Sequence, residues 1–321
     1  MQVGNPATGP AGQSKLVVSL KGHTDAVIAL AFTPDRCLLA SGSRDGRARL
    51  WNVASATPGE RAMLGTHGDQ FVSVAFAPNG RMLAAGTASA GGVRVFDVSE
   101  KSPQEISPLR GARGSIDAVA FSPDNKLVAG AGEDRTLRVW EAGPGVKGEP
   151  RTQLIGHGGP IRALAFAPDG QGIATAAQDS TVRLWALSRI RSWERAVLPH
   201  PGEVTAVAYS PDGKTVATAC LDGAIRLWDP TAIKPTPRAE FREHQNGLRL
   251  LLVSPDSRTL ISVSDGPRAV NWDLHTGQLL REWQVPAGRV AGVALTPDGR
   301  YLATGAVDGA VAVHRIADKR S

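Results

Sequence analysis

Residues 22–53 run GHTDAVIALAFTPDRCLLASGSRDGRARLWNV. An apolar run from Ala26 to Thr33 leads into Pro34-Asp35, a small and apolar run from Cys37 to Ser43 follows, and Arg47 to Val53 alternates into Trp51 after a second polar turn. Each run has the length and period of a β-strand, and each break carries turn residues. Helical periodicity of useful length is absent here and elsewhere in the chain.

The pattern recurs. Pro34-Asp35, Pro78-Asn79, Pro123-Asp124, Pro168-Asp169, Pro211-Asp212, Pro255-Asp256 and Pro297-Asp298 mark seven turns spaced 42 to 45 residues apart. A second landmark follows each in register, in order Trp51, Phe96, Trp140, Trp185, Trp228, Trp272 and His314. A fourth run ends at Leu20, Leu64, Leu109, Leu154, Val197, Phe241 and Trp283. A fixed period of this length, with four short strands per unit, implies repeated antiparallel sheets. Before each turn stand Ala31, Ala75, Ala120, Ala165, Ala208, Leu252 and Ala294. Small residues on one strand and larger ones outward are the taper that sheets set radially about an axis require. The expectation is all-β: a seven-bladed β-propeller with four-stranded antiparallel blades.

Composition agrees. The 321 residues are 42 % hydrophobic and 21 % charged, with 36 Gly and 22 Pro, which is globular and rich in turns. Met1 to Ser14 has neither a basic n-region nor an apolar core, and no run approaches a membrane span, so a soluble, cytoplasmic protein is expected. Cys37 and Cys220 fall in non-adjacent repeats, which argues against a disulfide.

These residues resemble the WD40 repeat family, over about residues 15 to 317. The resemblance implies a buried tetrad of His, Ser or Thr, Asp and Trp. Three repeats carry it in full: His23, Ser41, Asp45, Trp51; His157, Thr175, Asp179, Trp185; and His200, Thr218, Asp222, Trp228. The intervals are constant, 22 residues from His to Asp and 28 from His to Trp. Each bond contributes roughly 0.5–1.5 kcal/mol net. Repeat two has His67 and Phe96 without the Asp, and repeat three has Ala112 and Gly130 with Asp134 and Trp140. Repeat six displaces its Asp to Asp265 beside His244, Ser262 and Trp272, and repeat seven has Pro286 and His314 with Thr304 and Asp308. Those four blades are expected to be less rigid.

The chain stops after a third strand, Gly309 to Ala317, whereas Lys15 to Leu20 forms a fourth strand with no sheet of its own. Pairing the two closes the ring and buries edges that otherwise invite aggregation. Residues 1–14 are then a flexible N-terminal segment, 15–317 the propeller and 318–321 a tail.

Several motifs carry chemistry elsewhere but fit the repeat better here. Gly143 to Gly148 matches G-x-G-x-x-G, yet no helix follows to receive a pyrophosphate. Gly213-Lys214-Thr215 lacks the upstream Gly of a phosphate loop, Ala208 standing there. Five of the seven histidines share one repeat position, His275 lies in a loop, and none forms a close ligand pair, so no metal or cofactor is expected. Ser, His and Asp recur in the order of the tetrad and without an oxyanion arrangement, so no catalytic residues are expected. Arg49, Arg94, Arg138, Arg183 and Arg226 precede the Trp position by two and are expected to face neighbouring blades. They absorb much of the net charge of +6 into the repeat, which argues against a nucleic-acid groove. Trp283 reads as core, whereas Trp193 in Ser188 to Glu194 reads equally as a partner anchor or as packing.

The family's narrower face commonly takes a peptide over the channel. The resemblance projects Ile28, Arg44, Gln70, Asp117, Glu133, Arg162, Gln178, Glu203, Thr205, Leu221, Arg249 and Arg289 onto that face. Both charge signs occur, which suits a polar peptide or protein surface rather than a membrane or a phosphate backbone. The expected role is a non-catalytic, monomeric scaffold for protein or peptide partners. The alternatives are a sensor or regulatory domain, since the repeats also resemble bacterial WD40 proteins joined to kinases, and an enzyme using the channel.

Overall fold

A computed structural model of the protein describes residues 12–65, 70–89, 92–145, 148–232, 234–242, 244, 247–264, 268–284 and 290–316. Among them every regular element is a β-strand. Seven sheets of four antiparallel strands follow one another, each with strands a, b and c consecutive in sequence and strand d beyond c, and blade 6 carries one further short strand outside its d. Blade 1, for example, comprises Val27–Phe32, Leu38–Ser43, Ala48–Asn52 and Gly59–Leu64. The a strands of successive blades contact one another in order, and that of blade 7, Val290–Leu295, returns to Val27–Phe32. The sheets therefore form a closed ring.

Closure is as the sequence predicts. Lys15–Leu20 pairs antiparallel with Val311–Arg315, Leu20 lying opposite Val311 and Lys15 opposite Arg315, and so supplies strand d of blade 7. Leu20 and Val311 are buried in one apolar cluster with Val27 and Trp51 of blade 1. Residues 12–14 are not a free lead: Gly12–Gln13 pairs in parallel with Trp283 and Gln284 at the outer edge of blade 6. The Ser14 hydroxyl also donates to the Gln284 carbonyl at 3.0 Å. The start of the chain therefore ties two blades together. In blade 4 the buried strand-d position is Leu198, opposite Val182, and not Val197, which pairs with Arg183.

The Pro-Asp turns hold strands a and b together locally. In the first, the Thr33 hydroxyl donates to Asp35 Oδ1 at 2.6 Å and the Cys37 N–H to the same oxygen at 2.9 Å. The Thr33 bond outweighs burial and holds the Asp35 carboxyl below its usual range. The core lies between sheets, where aliphatic residues of one blade pack against the Trp of the next, as when Ala131, Leu137 and Leu154 meet Trp185. Trp283 is buried as expected.

Candidate functional site: the channel mouth

Strand a begins at the mouth, and in six blades its register shifts within the first three residues. The residue passed over is Ile28, Val72, Arg162, Thr205, Arg249 or Ala291. A bulge leaves one residue outside the ladder and re-aims its side chain. Ile28, Arg162, Thr205 and Arg249 thus turn into a single depression of about 340 Å³, together with Glu203 and Leu221. Leu248, Ala291, Gly292 and Val293 complete its wall. Six of the twelve residues projected from sequence meet there.

Interblade bonds fix this floor. The Arg162 guanidinium donates to Asp117 of blade 3 at 2.9 Å and to Glu203, at the entry to blade 5, at 3.1 Å. The Thr205 hydroxyl donates to the Leu248 carbonyl at 2.6 Å, and Arg249 donates to the Ala291 carbonyl at 3.0 Å. Burial holds the Arg249 guanidinium below its ordinary pKa. The b–c turns are anchored too: the N–H groups of Arg44, Glu133, Gln178 and Leu221 donate to carbonyls at the entry to strand a at 2.9–3.0 Å. The same bond in blade 2 runs from Ala88 to the Gln70 carbonyl. Arg44, Gln70, Glu133 and Gln178 therefore stand on the rim outside the depression, and Arg289 lies outside the described residues. Val72 and Ala291 stand five places beyond His67 and Pro286, the count that yields Ile28, Arg162, Thr205 and Arg249, so their signal was present in the sequence although neither was projected; Leu248, one place before Arg249, falls outside that count.

Beneath the mouth two tetrads are complete. His23 shares short bonds with Asp45 at 2.7 Å and Ser41 at 2.7 Å, and the Trp51 indole donates to Ser41 at 2.8 Å. His157, Asp179, Thr175 and Trp185 repeat this at 2.9, 2.7 and 2.8 Å. Burial lowers the pKa of both imidazoles against the pull of their aspartates. The third tetrad is a correction. His200 Nε2 meets Thr218 at 2.8 Å, but Nδ1 turns to the Leu198 carbonyl at 3.0 Å. Asp222 instead takes Arg226 at 2.6 Å and Arg242 at 3.3 Å. Burial raises the Asp222 carboxyl, and the bonds it accepts from Arg226 and from the Ala224 N–H overcome that, bringing the group down to about 2. The physical reason is competition: a permanently charged guanidinium is a stronger partner for a carboxylate than a neutral imidazole.

The diverged blades substitute for missing members in different ways. In blade 3 the Trp140 indole donates to the Arg110 carbonyl at 3.1 Å, and Asp134 takes Arg138 at 2.7 Å. Blade 6 keeps His244, Ser262 and Trp272, and His244 Nδ1 finds no partner among the described residues. In blade 7 neither ring nitrogen of the buried His314 has one. Thr304 is buried and Asp308 takes the Ala310 N–H at 3.0 Å, while His67, Asp265 and Pro286 lie outside the described residues.

The strand-c arginines do not face neighbouring blades. They reach carboxylates within their own blade: Arg49 to Glu60, Arg94 to Glu105 at 2.9 Å, Arg183 to Glu194 and Arg226 to Glu240 at 2.9 Å. Period two puts c and d residues of one face side by side, so the cross-strand partner is the nearer one. Gly143 and Gly145 open the loop after strand c of blade 3 with positive φ, and no helix follows among the described residues; Val146 and Lys147 lie outside them. Gly213-Lys214-Thr215 closes a Pro-Asp turn, with the Lys214 N–H on Asp212 at 3.0 Å. Among the described residues no three His, Cys, Asp or Glu side chains are grouped to hold a metal. Cys37 and Cys220 are free thiols.

Comparison with known proteins gives the same repeat. The family described as WD domain, G-beta repeat matches residues 14–52, 60–97, 103–141, 148–186, 193–229 and 277–314. Those segments make up well over half of the chain. The chain belongs to the WD40 repeat family. The WD40 match skips residues 230–276, where the structure nevertheless builds strands a, b and c of blade 6 around Trp272. Among relatives, Periodic tryptophan protein 2 of Arabidopsis thaliana is 32 % identical over 131 residues, 39 % of this chain and 13 % of the relative. Cross-pathway control WD-repeat protein 2 of Flammulina velutipes is 32 % identical over 133 residues, 39 % of this chain and 41 % of its own. The Guanine nucleotide-binding protein subunit beta of Zea mays is 27 % identical over 134 residues, 40 % and 34 % of the two chains. The match thus spans less than half of each WD40 relative. These relatives are plant and fungal, and they give the bacterial-type resemblance no support.

Proposed function

We propose that this WD40 propeller is a non-catalytic scaffold that seats a polar peptide or protein segment across the channel mouth. The observation that carries the reading is the depression in which the re-aimed Ile28, Arg162, Thr205 and Arg249 converge with Glu203 and Leu221, from four blades in all. Leu221 is 52 % exposed and Ile28 lies beside it, offering apolar contact. The charged groups are already oriented by bonds between blades, so a partner meets a prearranged surface and little ordering cost. Membership of a WD40 family that includes a guanine nucleotide-binding protein subunit supports an assembly role. We further propose a monomeric, cytoplasmic propeller whose partners are proteins rather than nucleic acid.

The test separates binding from folding. Arg162 bonds three blades, so its reversal disturbs the ring and is a poor probe. Arg44→Glu combined with Leu221→Asp alters only exposed side chains. The pair is expected to abolish most partner capture in a pull-down while the melting temperature stays within a few degrees. Unchanged capture at unchanged stability would remove the mouth as the binding site.

A second reading is a regulatory domain of a longer protein: in Periodic tryptophan protein 2 of Arabidopsis thaliana the matched stretch is 13 % of the relative against 39 % of this chain, so there the repeats sit in a much longer polypeptide. Linking to a catalytic domain such as a kinase belongs to this reading. A propeller whose presence changes the activity of a covalently joined or co-purified enzyme would favour it over the scaffold.

A further inference from the structure

Strand d of six blades carries a second bulge, and it re-aims Val17, Arg61, Ile106, Arg195, Arg238 or Leu280 at the face opposite the mouth. Two of the three arginines are used up within the fold. Arg61 donates to the Glu100 carbonyl at 2.8 Å across the gap to blade 2, and Arg238 donates to the Thr215 hydroxyl at 2.7 Å. The Arg195 guanidinium makes no hydrogen bond or ion pair with another described residue and borders a depression of about 710 Å³ between blades 4 and 5.

Trp193, Leu187, Tyr209 and Pro230 give this depression its apolar wall. Trp193 is 51 % exposed, whereas the other six tryptophans are buried. The loop 187–192 leading to it carries Arg189, Arg191 and Ile190, the last 98 % exposed. Arg189 and Arg191 also lack an ion pair with any described residue, unlike the strand-c arginines. On the far side of the loop a second depression brings Arg189 together with Lys126 and Arg151. Nearby anions are mostly engaged: Asp169 takes the Gln171 N–H at 2.8 Å, Asp212 takes the Ser210 hydroxyl at 2.6 Å, and Glu194 takes Arg183. Glu141 is the exposed exception, and Asp229 lies near Arg195.

We propose that this ridge is a second docking site, distinct from the mouth, for an acidic peptide segment bearing one bulky apolar side chain. The apolar side chain enters the depression against Trp193, and carboxylates of the segment pair with Arg189, Arg191 and Arg195. An exposed Trp beside a pocket and arginines with no ion-pair partner among the described residues are the residue types that dominate binding energy at interfaces. Unsatisfied guanidinium forks select carboxylates by bidentate bonding. A walled pocket with a few cations fits a side chain better than the flat apolar plane and dense positive field that a membrane requires.

Trp193 is its own reporter. Short fluorescein-labelled peptides with Glu flanking a single Phe or Leu are titrated against the full chain, with Lys-for-Glu counterparts and phosphatidylserine vesicles in parallel. The expected result is saturable binding of the acidic peptides, a blue shift of Trp193 emission, and weakening as salt rises. Trp193→Ala, or Arg189→Glu with Arg191→Glu, is expected to weaken binding roughly tenfold or more. Arg44→Glu with Leu221→Asp at the mouth is expected to leave it unchanged, which separates this site from the scaffold reading. The proposal is overturned if acidic peptides bind no better than the Lys peptides, if the ridge variants bind normally, or if vesicles alone shift the emission.

Discussion

The tetrads show how far single side chains stabilise a blade. Thr175 serves both His157 and Trp185, so Thr175→Val leaves two buried polar groups short of a partner and is expected to cost about 1–3 kcal/mol. The opposite holds at His314, whose ring nitrogens both lack a partner among the described residues. His314→Phe, the type blade 2 uses at Phe96, is expected to raise stability by about 1–3 kcal/mol in urea unfolding. Backbone demands are as local. Gly223 has φ 79°, and a Cβ there would meet the His244 carbonyl oxygen at 2.6 Å. Gly223→Ala is therefore expected to destabilise by at least about 1–2 kcal/mol, the cost of the left-handed region alone. Protonation adds a global signature. Burial holds His200 and His244 at about 4 against 6.5 when free. The unfolded chain then takes up protons first, so stability that is level above pH 6.5 falls as pH drops from 6.5 toward 4. Asp222, about 2 in the fold against 3.8, extends the loss from 3.8 toward 2. A urea midpoint that does not move between pH 7 and 5 would contradict the buried neutral histidines.

Among the elements, the closing strand and the bulges decide most. Deleting residues 1–20 removes strand d of blade 7 and uncovers the edge Val311–Arg315. A marked fall in melting temperature with concentration-dependent association is expected, and Leu20→Ala alone is expected to cost about 2–5 kcal/mol. Blades 1, 4 and 5 are expected to exchange amide hydrogens more slowly than blades 2, 3, 6 and 7, with blade 5 fastest of its group because His200 and Asp222 are parted. The strands themselves were legible because turn residues and period-two runs repeat seven times, and closure followed from the count of strands. The bulges were not: Ile28, Arg162 and Ala291 share a backbone register and no side-chain chemistry. Nor was the parting of His200 from Asp222, because spacing fixes which residues can meet, while Arg226 and Arg242 decide which do. Val197 and Leu198 are both apolar neighbours, so only pairing with strand c distinguishes the buried one.

At the level of the whole molecule, two faces are built by the same device, a one-residue bulge, on opposite ends of the sheets. At the mouth it turns polar groups into interblade bonds; on the other face it leaves Arg195 unspent beside Trp193. Candidate mouth residues were legible in sequence because they sit at fixed counts from the tetrad histidine, whereas the ridge falls in a loop with no repeat partner. The formal charge of +6 does not form one field, since strand-c arginines are neutralised within their own blades. All of this depends on seven units closing around one axis, and blade 6 is the stringent case because the family match skips most of it. A crystallographic density map of the full chain is the direct measurement. Seven sheets, with residues 248–284 inserted between blades 5 and 7 and Lys15–Leu20 paired to Val311–Arg315, is the predicted result. Six sheets with residues 248–284 looped out, or a first strand paired elsewhere, would contradict it.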